Sequence, residues 1–179
     1  SGRTASSAGA SADGRRARQH LLRVQPSGGG DVHPAQHPRD LLDALGAFAD
    51  DVRRRRTTEK EELARFVTFV RGYADAHHHG KEEDVLFEAM VREGFPRQGG
   101  PIAVMLHEHD QGRGLVGVLR SRAEQEGPWS DGDRQEIAEV AHGFADMLRA
   151  HIQKEDGVLY PMAEQHLGPE ALDGVNEAC

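Results

Sequence analysis

His78 and Glu82 stand four positions apart, and so do His151 and Glu155. The two stretches around them match: His78-His79-Gly80-Lys81-Glu82-Glu83-Asp84-Val85-Leu86-Phe87 against His151-Ile152-Gln153-Lys154-Glu155-Asp156-Gly157-Val158-Leu159-Tyr160. On a helix, side chains four apart leave one face about one turn from each other, so each pair can reach a common metal ion. A single such pair on a helix surface is ordinarily a solvated contact; a matched pair of pairs on inward faces is a chelating device. His151 and Glu155 continue the apolar stripe of Phe144 and Leu148, and polar groups placed there need partners. In the other copy, helical period alone does not choose among His77, His78 and His79, but the internal match selects His78 with Glu82. A further stripe, Ile102, Met105, Val116 and Leu119, turns His109 inward and His107 outward. His37 lies four residues before Leu41 on a fourth stripe and is the candidate ligand there, although Pro38 makes it a cap residue. Imidazole and carboxylate donors without a core thiolate suit iron, manganese or zinc, and two glutamates able to bridge favour a dinuclear centre. The remaining histidines, His107, His142 and His166, and His20 and His33 near the start, read as solvated.

Four helices must carry these residues. Leu41, Leu45, Phe48 and Val52 mark the first; Leu63, Phe66, Val67, Val70 and Ala74 the second, capped by Thr57 or Thr58 with Glu61 and running to about Arg92. Pro101 opens a third over roughly 101–126, and Ser130 or Asp131 caps a fourth that carries Ile137, Val140, Ala141, Phe144, Leu148 and Ile152 and ends before Pro161. No stretch alternates with period two, so the expected fold is all-α, an up-down-up-down four-helix bundle over 37–179. Residues 1–36, rich in Ser, Gly, Ala and Arg, read as a disordered tail. A net charge of −8 disfavours nucleic acid, no apolar run is long enough to span a membrane, and the single Cys179 permits no internal disulfide. A cytoplasmic protein is the expectation.

These motifs resemble the bacterial hemerythrin-like (HHE cation-binding) domains. The resemblance rests on His78-x-x-Lys81-Glu82-Glu83 with Leu86-Phe87, Glu108-His109-x-x-Gly112-Arg113, and His151-Ile152-x-Lys154-Glu155-Asp156 with Leu159-Tyr160-Pro161. Gly94-Phe95-Pro96-Arg97 to Met105-Leu106 looks like the same family's loop and helix start, and the likeness covers roughly residues 40–175. It implies a di-iron centre of two non-haem ions, an open position for dioxygen, nitric oxide or peroxide, and a role for Leu148 in covering the oxygen pocket. The departure is at helix one. Such domains carry a Glu-His-Arg motif further ahead of the Leu42-Asp43-Ala44-Leu45 stretch than Gln36-His37-Pro38-Arg39 stands here.

Three function classes follow. The first is a binding protein that takes up, stores or senses a small oxidant or buffers iron. The second is a di-iron enzyme, an oxidase, a peroxidase or an iron-donating repair protein, for which Tyr73 and Tyr160 are proton-donor candidates equally explained by packing. The third is a metal-free structural bundle.

Overall fold

The computed structural model describes residues 38–178, and among them every regular element is helical. The elements are α1 (Pro38–Arg53), α2 (Lys60–Phe69), α3 (Phe87–Arg92), α4 (Gly100–Glu124), α5 (Asp131–Lys154), α6 (Tyr160–His166) and α7 (Pro169–Ala178). Helix α2 continues into α3 through two π-helical stretches, Val70–His79 and Glu82–Leu86, and α5 continues into α6 through a third, Glu155–Leu159. Four rods result: α1, residues 60–92, α4, and residues 131–166. Helix α1 packs on α5, α5 on α4, and α4 on α2, which is the four-helix bundle the apolar stripes require.

Local chemistry sets the ends of the rods. Pro38 is the first residue of α1, where its missing N–H is not needed. Ser130 caps α5 in a reciprocal box: its hydroxyl accepts from the Asp133 N–H at 3.2 Å, and its own N–H donates to Asp133 Oδ2 at 2.8 Å. The start of α2 differs from expectation. Its N-cap is Glu59 without a side-chain cap, and Thr57 Oγ1 instead accepts from the Glu59 N–H in the preceding turn. The fourth rod does not stop at Pro161. Proline follows the Glu155–Leu159 stretch, where the hydrogen-bond ladder has already changed register, and the wider turn accommodates a ring that would clash in a regular helix.

The interior is layered. One apolar cluster gathers Leu42, Leu45, Val52, Leu63, Val67, Val116, Leu119, Ile137, Phe144 and Leu148 at one end of the bundle. A second gathers Leu86, Phe87, Met90, Ile102, Met105, Leu159 and Ala163 at the other. Along each of three rods the chain passes from one cluster to the other through buried polar residues: His79 and Glu82, then His109, then His151 and Glu155. Helix α1 contributes only to the first cluster.

Candidate metal centre

The polar layer holds five buried polar or charged side chains, His79, Glu82, His109, His151 and Glu155, none more than 8% exposed. One donor atom each of Glu82, His109, His151 and Glu155 lies within 4.8 Å of all the others. His109 Nε2 is 3.4 Å from Glu82 Oε2, and His151 Nε2 is 2.6 Å from Glu155 Oε1. None of these four atoms has a hydrogen-bond partner. Buried polar atoms are rarely left so. Here they are orphaned together and aimed at one another, which is how ligands of a common cation stand.

The outer edges of the rings are held from behind. Glu83 Oε1 lies 2.7 Å from His109 Nδ1, and Glu108 Oε2 lies 2.9 Å from His151 Nδ1. Carboxylates accept, so in each ring Nδ1 carries the proton and Nε2 turns a lone pair inward. Each carboxylate is in turn held by a cation. Arg113 donates to Glu83 at 2.7 Å and to Asp75 at 2.7 Å, and Lys154 donates to Glu108. Tyr160 Oη donates to Glu82 Oε1 at 2.7 Å, fixing the carboxylate so that Oε2 faces the histidines. Burial raises the Tyr160 pKa well above the phenol range, as do Glu82 and Glu155 beside it, so it remains a donor.

The electrostatics express a demand for positive charge. Burial opposes protonation of His151, yet the adjacent Glu155 and Glu108 raise its pKa. Burial likewise favours the neutral form of Glu155, yet His151 and His78 lower its pKa. An inward lone pair on His151 facing Glu155 at 2.6 Å is repulsive unless a proton or a metal cation lies between. The nitrogen and oxygen donor set fits iron, manganese or zinc.

The sequence-derived candidates distribute as follows. Glu82, His109, His151 and Glu155 come together. His78 stands at the edge of the group, its Nε2 3.6 Å from Glu155 Oε1 and 4.0 Å from Glu82 Oε2. His37 lies outside the described residues, as do His20 and His33. Leu148 lines a cavity of about 300 Å³ with Val70, Ala74, Phe144, His79, His109 and His151. Gly112 also lines it; a β-carbon there would stand 3.1 Å from Met147 Cε, so the glycine keeps the wall thin. His107 and His166 are exposed, and His142 Nε2 is 3.2 Å from Asp50 on the surface. His79 was missed, and so were the carboxylates behind the rings. Buried His79 follows from the π-helical stretch that ends on it, an irregularity that regular helical period does not reveal. The only sequence signals for Glu83 and Glu108 were their places inside the two motifs.

Comparison with known proteins agrees with this geometry. Residues 17–163 match the hemerythrin HHE cation binding domain, a span that reaches back into the segment whose composition reads as a tail. The chain is similar to the iron-sulfur cluster repair protein YtfE of Enterobacter sp. (strain 638), 29% identical over 136 residues. It is also similar to the iron-sulfur cluster repair proteins YtfE of Salmonella paratyphi B and Salmonella newport, each 31% identical over 137 residues. Each alignment takes in 74% of this chain but 60% of the relative, so the chain spans about 60% of the length of these curated relatives. No solved structure matches. A bundle with a buried histidine and glutamate layer, matched over most of its length, places the chain in the hemerythrin HHE cation-binding domain family.

Proposed function

We propose that the chain holds two non-haem iron ions in this layer and there takes up or senses dioxygen, nitric oxide or peroxide, or buffers iron, in the cytoplasm. The observation that carries the reading is the convergence of four orphaned donor atoms in a buried layer between two apolar clusters. Glu82, Glu155, His109 and His151, with His78 Nε2 3.6 Å from Glu155 Oε1, are the residues that would hold the ions. Iron held there would supply redox chemistry toward a small oxidant. The chain supplies the surroundings. Val70, Phe144 and Leu148 give the adjoining cavity an apolar wall, Arg71, Asp75, Arg113 and Arg120 also line it, and Glu83 and Glu108 orient the rings. Among the described residues no helix is long and apolar enough to cross a membrane.

A second reading, donation of iron to damaged iron-sulfur clusters, is favoured by the relatives' names. Anaerobic loading with ferrous iron, followed by exposure to dioxygen or nitric oxide, separates the two. A spectral change that reverses on deoxygenation supports binding. Transfer of iron to an apo iron-sulfur protein, with recovery of its cluster, supports donation. Absence of stoichiometric metal under loading leaves a structural bundle.

A further inference from the structure

His79 is 8% exposed, yet neither of its ring nitrogens has a hydrogen-bond partner. Its Nδ1 stands 3.7 Å from Asp75 Oδ1, beyond hydrogen-bond reach. A buried imidazole with two unsatisfied nitrogens is costly unless something else satisfies it. One of those nitrogens lies within 4.8 Å of the donor nitrogens of both His109 and His151. The ring stacks on His109 at 3.9 Å between centroids and meets His151 edge-on at 5.6 Å. His79 also lines the cavity, with His109 and His151.

Its neighbour looks elsewhere. His78 Nε2 faces Glu155 and Glu82, not the histidine pair. In a regular helix consecutive residues point about 100° apart, and two adjacent side chains do not serve one site. The π-helical stretch Val70–His79 widens the turn and ends on these histidines, and a second begins at Glu82. The widened backbone turns both rings inward, one toward the carboxylates and one toward the histidine pair.

We propose that His79 is a metal ligand, the third nitrogen donor to the ion held by His109 and His151, while His78 serves the other ion across Glu82 and Glu155. The assignment rests on the di-iron reading above. It gives a purpose to the backbone irregularity of the second rod: adjacent histidines are divided between two ions.

The test compares wild type with His79→Gln, His79→Ala and His78→Ala after anaerobic loading with ferrous iron. Iron per chain, the iron affinity and the Mössbauer spectrum are read, with circular dichroism to confirm that each variant is folded. Both His79 variants are expected to bind iron at one of the two sites at least about tenfold more weakly, since even residues behind the ligands carry effects of that size. Only one of the two Mössbauer doublets should be strongly altered, and His78→Ala should alter the other. Free imidazole is expected to restore the lost site in His79→Ala, which a purely structural role would not allow. Two irons per chain with wild-type affinity and spectrum in His79→Gln would overturn the assignment and leave the di-iron reading standing. Wild-type protein that takes up no iron would overturn that reading, and this assignment with it.

Discussion

At the scale of single residues, the site is a set of rings held from behind. Glu108 fixes the His151 tautomer and is itself held by Lys154; Glu83 does the same for His109 and is held by Arg113. Glu108→Gln offers an amide that can also donate, so the tautomer is no longer enforced. Iron affinity is expected to fall about 10- to 100-fold with helix content unchanged, measured by competition with a chelator. An unchanged affinity would mean that Glu108 is a surface ion-pair partner only. The pairs His78 with Glu82 and His151 with Glu155 were legible because each recurs at fixed spacing in matched surroundings, and His109 because it continues an apolar stripe. The structure gathers four of these five and leaves His78 at the rim. Buried His79 was illegible because period-based reading presumes a regular helix, and the backbone departs from one there.

At the scale of elements, stripes and caps gave three of the four rods nearly to their ends, while the π-helical stretches left no mark in composition. Two of them nonetheless begin on the equivalent glutamates, Glu82 and Glu155, so the internal match extends to backbone geometry. Pro161 is the instructive miss: proline is read as a terminator, yet it is tolerated where the ladder has already shifted. The cap of α5 can be tested directly. Ser130→Ala removes the oxygen that receives the Asp133 N–H and is expected to lower stability by about 1 kcal/mol in denaturant unfolding. The same box gives a pH dependence. The Ser130 hydroxyl and N–H, then Gln125, hold the Asp133 pKa at about 2, below the ordinary 3.8. A carboxyl depressed on folding stabilises fully above its unfolded pKa and loses that contribution as pH falls through the folded one. Stability should therefore decline between about pH 4 and pH 2, and Asp133→Asn should flatten that limb of the acid titration.

At the scale of the whole molecule, two apolar clusters are joined through a polar layer whose inward donor atoms call for protons or a cation between them. On the proposed di-iron reading, iron is part of the fold. At metal concentrations near a thousand times the dissociation constant, binding contributes about 4 kcal/mol, so chelation should lower the melting temperature by roughly 10 °C. Phe87→Ala, which empties a fully buried position beside the His109 ring, should cost about 3–5 kcal/mol in either state. The four-helix bundle was legible in outline, because an apolar stripe marks each rod, whereas the division into two clusters was not read from the sequence. The helix-one candidate ligand, His37, falls outside the described residues. The most direct measurement is iron content together with the optical spectrum of aerobically purified protein, comparing wild type with His151→Ala and Glu82→Ala. The expected result is about two irons per chain in the wild type, with near-ultraviolet charge-transfer bands of a bridged iron pair that both variants lose. Wild-type protein without stoichiometric metal after reconstitution, or variants that keep the full complement and its spectrum, would contradict a di-iron centre built on these residues.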